Sequence, residues 1–246
     1  MPVIYLSPST QEGNYYVTGG SEEQWMNRLA DAMEPYLTAS GIRYVRNTPE
    51  MTAATSIRAS NSGNYDLHVA LHSNAAPEDR YGSVRGIIVY YYPGSAEGQR
   101  AAIIIADNLK SIYPLPNLVR AEGTISIGEV RRVRSPSVFL EIGYHDNPDD
   151  ASWVVNNLDA IAQNLVYSLT EYFGLPFLEP RPYRSAIVDV NWGTLNIRDR
   201  PNTSAPIVAS VSDGTNLTVV NEWQGWYLVH LNDILGWASG NFITLI

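Results

Sequence analysis

Residues 66–75 read DLHVALHSNA and hold two of the chain's four histidines, His68 and His72, four positions apart. On a helix that spacing would stack both imidazoles on one face, a ready metal clamp. On a strand, at a rise of about 3.3 Å per residue, it separates them by roughly 13 Å. Leu67, Val69 and Leu71 fall at alternate positions, and Ser-Asn-Ala-Ala-Pro follows in place of more helix. The stretch reads as a buried strand of an α/β sheet. The two histidines then cannot share one metal. Only His72 sits at the carboxyl end of the strand, where open α/β sheets carry their sites. His68 reads as a packed or hydrogen-bonded core residue.

The rest of the first 175 residues follows from that strand. VIYL near the N-terminus is a second short β run, and SPSTQEGNYYVTGG after it is a polar, glycine-rich loop. SEEQWMNRLADAMEPYL opens as a helix: Ser21 is a cap candidate, Gln24 lies three residues later, and Met26, Leu29, Ala30, Met33 and Leu37 recur at helical spacing. Pro35 is expected to kink or shorten its far end, and Gly41 to stop it. IRYV, GIIVYYY and PSVFLEIGY read as further strands, with a polar helix around residues 53–60 and a helical period in AEGQRAAIIIADNLKSIY. A long helix is expected from Asn147 to about residue 173, with Asn147 as cap, Pro148 at its first position, and Asp149 and Asp150 in the first turn. Strands alternating with helices give an α/β domain with a central, mostly parallel sheet flanked by helices over residues 1–175. Residues 176–185 are proline-rich and read as a stiff linker. Residues 186–246 change texture to short strands split by Asn, Asp, Gly and Pro, a small all-β barrel.

Composition narrows the function classes. The 246 residues carry 16 basic and 25 acidic side chains, a formal charge of −9, which argues against generic nucleic-acid binding despite a local Arg131, Arg132, Arg134 cluster. There is no cysteine, so a disulfide, a thiolate metal site and a cysteine nucleophile are excluded. No apolar run approaches the ~18–20 residues of a membrane span. MPVIYLSPST has neither a basic start nor a long apolar core, and is not expected to be a signal peptide.

Glu141 is the second residue of interest. It lies inside an apolar run near a strand end, where an ionised carboxylate needs a partner. A salt bridge to an arginine would satisfy it. Equally, it could be a general base or a metal ligand. His145 follows where that strand gives way to the capped helix. Glu23, in the first turn of the first helix, reads as a dipole-complementing carboxylate or as a third contributor to a site. Two sheet-end histidines and two glutamates form a set that suits Zn²⁺.

SEEQWMNRLAD, YDLHVALHSNA, GIIVYYY and SPSVFLEIGYHDN, in order from residue 3 to about residue 173, resemble the zinc-dependent N-acetylmuramoyl-L-alanine amidases of the amidase-3 type. GTLNIRDRPNTSAPIVASVSDGTNLTVV and GWYLVHLNDILGWASGNFI resemble a bacterial SH3 domain. The first resemblance implies Glu23 and His72 as zinc ligands and Glu141 as the catalytic carboxylate. It also implies a first histidine ligand just after strand one, a position that here falls on Thr10 with Gln11 beside it. His145 is expected to supply the missing imidazole; the alternative is a hydrogen bond from His145 to the loop or helix end. The expected function is hydrolysis, on peptidoglycan, of the amide between N-acetylmuramic acid and L-alanine, by a monomer acting at the cell wall after secretion, phage release or spore formation. The alternative is a non-catalytic wall-binding protein on a degenerate amidase fold. Of Trp192, Trp223, Trp226 and Trp237 in the SH3-like module, some are expected in the core and one or two on an exposed platform.

Overall fold

The computed structural model describes residues 1–246. The chain divides into two compact units, Pro2–Glu34 with Tyr44–Phe173, and Pro35–Arg43 with Gly174–Ile246 and Met1.

The first unit holds a six-stranded sheet of β1 (Val3–Pro8), β2 (Arg43–Arg46), β3 (Leu67–Asn74), β4 (Ile87–Tyr91), β5 (Val119–Gly123) and β6 (Ser137–Tyr144), in the order β2-β1-β3-β6-β4-β5. DLHVALHSNA is β3, buried from Leu67 to Ser73, as a central strand covered on both faces must be. It runs parallel to β1 and to β6, with Tyr5 beside His68 and Glu141 beside His72. β4 runs antiparallel to β6, so the sheet is mixed. Because β4 is reversed, β3 ends and β4 begins at the same rim. Residues 75–86 between them stay on that rim, where Asp146 accepts from Ala76 N (3.0 Å) and Gly82 N (2.7 Å).

Six helices accompany the sheet: α1 (Glu22–Ala39), α2 (Ala53–Ser62), α3 (Ala96–Leu109), α4 (Gly128–Arg131), α5 (Pro148–Asn156) and α6 (Leu158–Phe173). In α1 the stripe of Met26, Leu29, Ala30, Met33 and Leu37 is fully buried, and Ser21 Oγ accepts from Gln24 N at 3.1 Å. Pro35 does not end this helix. The carbonyl that it leaves without a partner belongs to Asp31, which is exposed, so water can satisfy it. The stop comes at Gly41, whose φ of +77° allows Ile42 N to reach Leu37 O and Gly41 N to reach Thr38 O. The single long helix expected after Asn147 is two. Asn157 breaks it by turning its side-chain amide back to Trp153 O (2.7 Å), the local competition with the helix ladder that asparagine favours.

In the second unit, β7 (Arg184–Val188), β8 (Thr194–Arg198), β9 (Ile207–Ser212), β10 (Asn216–Trp223), β11 (Trp226–Leu231), β12 (Ile234–Ser239) and β13 (Ile243–Leu245) form an antiparallel sheet in the order β13-β7-β10-β11-β12-β8-β9. All seven strands contribute to one apolar cluster that includes Val188, Ile197, Val211, Val219, Val229, Ala238 and Ile243, so the sheet wraps around itself. GWASGNFITL contributes to two strands, β12 and β13, separated by a 3-10 turn over Gly240–Phe242.

Asn147 Oδ1 accepts from Asp149 N (3.0 Å) and Asp150 N (3.1 Å), capping α5 next to the rim. Asn147→Ala is expected to lower stability by about 0.5–2 kcal/mol, measured by denaturant unfolding.

Candidate active site

The carboxyl ends of β1, β3 and β6 and the first turn of α1 meet at one rim. Glu22 is the first residue of α1 and is 1% exposed; its Oε1 lies 2.7 Å from His72 Nδ1. Its Oε2 accepts from Asn14 Nδ2 at 2.7 Å. The carboxylate beside His72 is therefore Glu22 and not Glu23. Glu23 is only partly buried, and no hydrogen bond or ion pair ties it to His72. The α1 stripe itself shows why: four residues back from Met26 on the buried face is Glu22, and Glu23 is turned about 100° away.

His72 is held on every side. Its ring stacks on Phe139, centroids 4.1 Å apart. Its Nε2 is 3.3 Å from Glu129 Oε2, a residue that the sequence reading did not single out. Glu129 Oε1 accepts from Ser7 Oγ (2.6 Å) and stands 3.3 Å from His68 Nε2, off the line of a hydrogen bond. His68 Nδ1 pairs with Ser60 Oγ at 3.0 Å, and its ring stacks on Tyr5. His68 is thus the buried core residue expected, and the two histidines, unable to share a metal, flank one carboxylate. A signal for Glu129 existed: an even spacing on a strand puts both imidazoles on one buried face, where each needs a polar partner.

His145 does not join the set. Its Nδ1 lies 3.1 Å from Ser73 O and 3.2 Å from Ser73 Oγ, and its ring packs against Tyr16. Ser73 follows His72 in the strand, so alternation turns its side chain to the other face. The His145 ring is hydrogen-bonded, as the alternative had it, but to Ser73 near the end of β3 and not to the loop or helix end. Beside Thr10, the position where the resemblance asks for a histidine, Gln11 brings its amide Nε2 to 3.4 Å from His72 Nδ1, and its Oε1 accepts from Asn14 Nδ2 at 2.9 Å. No three His, Asp or Glu side chains are placed to hold a metal ion together. A cavity of about 50 Å³ lies between Gln11, Ser56, His72 and Glu129.

Glu141 projects beside His72 from the neighbouring strand. No arginine pairs with it, and its enclosed Oε2 has no hydrogen-bond partner. Burial pushes its carboxyl up to about 8, with Glu22 adding to the rise and His72 opposing it. Glu22 behaves in the opposite way: burial would raise it, but the hydrogen bond and charge of His72 hold it below its ordinary value. Glu129 is held far below the carboxylate range by His72 and His68 against the same desolvation. Burial alone would lower His72; hydrogen bonds to Glu129 and Glu22 instead raise it to about 9, so the metal-free imidazole is a cation between two carboxylates.

In the second unit Trp237 is fully buried, whereas Trp192 is 89% exposed. Trp192, Trp226 and Phe242 line a groove of about 580 Å³ with Asn196, Arg198 and Asn241.

The sequence profile of the N-acetylmuramoyl-L-alanine amidase family, amidase-3 type, matches residues 8–171, and that of the bacterial SH3 domain matches residues 193–244. A putative N-acetylmuramoyl-L-alanine amidase of Bacillus subtilis (strain 168), YrvJ, is 33% identical over 54 residues, which is 22% of this chain and 10% of that protein. The fold resembles N-acetylmuramoyl-L-alanine amidase AmiC2 of Nostoc punctiforme (TM-score 0.60, 17% identity, 70% of this chain and 97% of that one). It also resembles the catalytic domain of CwlV from Bacillus (Paenibacillus) polymyxa var. colistinus (0.61, 16%, 72% and 100%) and CwlD of Clostridioides difficile (0.62, 14%, 71% and 99%).

The electrostatics give a pH dependence. With His72 raised from 6.5 to about 9, its stabilisation is complete below pH 6.5 and is lost as pH rises through 9; Glu141, raised from 4.5 to about 8, acts in the same direction. Melting of the metal-free protein, followed in chelator, is expected to fall between pH 6.5 and 9. Glu141→Gln should flatten the part of the fall below 8. The depressed Glu22 and Glu129 have the opposite dependence, and their stabilisation is lost only at acid pH.

Proposed function

Because the chain belongs to the N-acetylmuramoyl-L-alanine amidase family, we propose that it is a zinc-dependent peptidoglycan hydrolase, cleaving the amide between the lactyl carbonyl of N-acetylmuramic acid and L-alanine of the stem peptide. The observation that carries this reading is the partly buried Glu141 beside the Glu22–His72 pair, whose enclosed Oε2 has no hydrogen-bond partner. A structural carboxylate in that position would be paired.

Two side chains at the rim, Glu22 and His72, are of the kind that hold zinc, and their Oε1 and Nδ1 stand together. No third His, Asp or Glu joins them, and the Gln11 group that faces His72 is its Nε2, a hydrogen-bond donor that does not ligate. Two protein ligands hold zinc weakly, so the affinity is expected to be modest. Zinc held by Glu22 and His72 would supply Lewis-acid polarisation of the scissile carbonyl. The chain's own groups do the rest. Glu141 takes a proton from the attacking water and then delivers it to the leaving amine nitrogen. Phe139 and Glu129 hold the His72 ring in one orientation. The exposed Trp192 and the groove beside it would bind the wall and raise the local concentration of the hydrolytic unit. The action is at the cell wall.

A second reading, a wall-binding protein without catalysis, is favoured by one observation, the absence of a third His, Asp or Glu beside Glu22 and His72. Release of stem peptides from purified peptidoglycan, followed by mass spectrometry with and without chelator, separates the two: chelator-sensitive release supports the hydrolase, and none supports the binding protein. Zinc content is expected to be lost in Glu22→Gln and His72→Ala and retained in Glu23→Gln and His145→Ala. Glu141→Gln should keep the metal and lower turnover by about 10²–10⁴-fold. Trp192→Ala is expected to weaken sedimentation with peptidoglycan by roughly 2- to 10-fold while leaving hydrolysis of soluble fragments unchanged.

A further inference from the structure

The groove of the second unit has a lining that narrows what it can hold. β8 alternates: Leu195 and Ile197 point into the apolar cluster, so Asn196 and Arg198 point the other way, into the groove wall. Trp192 stands almost free in the turn before β8, and Trp226 opens β11. Asn241 and Phe242 sit on the 3-10 turn after β12. That turn is fixed at both ends: Gly240 N donates to Gly225 O at 2.8 Å, and Phe242 O accepts from Asp189 N at 3.0 Å. Three aromatic rings therefore border a groove of about 580 Å³. No acidic residue lines it, and its one charged residue is Arg198, whose Nη1 already donates to Ala205 O at 2.6 Å. Asn196 Oδ1 accepts from Ser210 Oγ at 2.9 Å, which leaves its amide N–H groups as donors.

Peptidoglycan offers two ligands of different character. Its stem peptides carry free carboxylates, and a site built for them needs cations or clustered N–H groups aimed at those charges. Its glycan is a chain of N-acetylated pyranoses, with C–H groups on the ring faces and hydroxyl and acetamide groups on the edges. Slightly positive C–H groups pack on the negative faces of aromatic rings, and neutral amides bond the edges. Three aromatic rings, neutral amides and a single arginine with one N–H arm already bonded match the second ligand. We infer that the groove takes the glycan strand of peptidoglycan and not its stem peptides. The inference rests on the wall-binding role proposed above for this groove and names the part of the wall recognised. A ligand without charge gives an affinity almost independent of salt. The module is then indifferent to the amino acids and cross-links that distinguish the peptides of one wall from those of another.

The test uses the full chain and two soluble probes, a β-linked hexamer of N-acetylglucosamine and a free stem peptide. The indole N–H resonance of Trp192, identified by its loss in Trp192→Ala, reports on the groove alone. The hexamer is expected to move this resonance, and the peptide to leave it in place. Affinity for the hexamer, measured by calorimetry, should fall by roughly 3- to 10-fold in Trp192→Ala and change by less than about twofold between low and high salt. Trp192 is so exposed that its removal leaves the apolar cluster intact, and Phe242→Ala, at a residue 46% exposed, should weaken the hexamer in the same way. A resonance unmoved by the hexamer, or moved by the stem peptide, would overturn the inference. Sedimentation with whole peptidoglycan then separates the two readings. If it still depends on Trp192, the groove meets the wall through another component and the wall-binding role stands; if it does not, that role falls as well.

Discussion

The buried contact between Glu22 and His72 is what the site is built around. A carboxylate and an imidazolium enclosed together compensate one another's loss of water, and either alone would be costly, by on the order of 3–5 kcal/mol when a partner is removed. The pair also has a mechanical effect. It fastens the first turn of α1 to the end of β3, and Asn14, bonded to both Glu22 and Gln11, draws the glycine-rich loop between β1 and α1 into the same network. The loop is held as well by the buried Tyr16, packed against Trp25 and His145, and by the backbone bonds Val17 N to His145 O and Glu22 N to Asn14 O.

Much of this was legible in the sequence, and the failures have identifiable causes. DLHVALHSNA forms a strand in which Leu67, Val69 and Leu71 share one face and His68, Ala70 and His72 the other, all of them buried. The strand reading placed His72 at the working edge and His68 inside. The slip from Glu22 to Glu23 came from assigning the residue by block resemblance when the α1 stripe already specified the inward face. His145 looked available because it stands at the right edge, but which face a strand-end side chain takes depends on its neighbour's alternation. Glu129 lies in GEVRRVRSP, which carries no period and reads as a polar turn. Only the demand of two buried imidazoles for a shared acceptor pointed towards it. The broken helix at Asn157 and the uninterrupted one at Pro35 show local preference yielding to context, since one asparagine could bond backwards and one proline left an exposed carbonyl.

The amide at Gln11 changes the character of the site more than its architecture. The resemblance implies Glu23, His72 and Glu141 as carboxylate ligand, imidazole ligand and catalytic carboxylate; the structure sets Glu22, not Glu23, against His72, with Glu141 beside it on the next strand. The third direction is filled by a neutral group that is committed to Asn14 as well. Compared with an imidazole in that place, this arrangement leaves the metal-free state better satisfied, because the carboxamide has a partner and the His72 cation is shared by two carboxylates.

The reversed strand β4 has a consequence for variation. Since β3 finishes and β4 starts on the same rim, the arc of residues 75–86 touches the site's border without carrying any strand of the sheet, and its anchors are the two oxygens of Asp146. Insertions or exchanges within that arc would leave β3, β6 and the Glu22–His72 contact as they are. The fold thereby keeps the buried carboxylate and imidazole with the sheet and leaves the neighbouring rim to a segment freer to diverge.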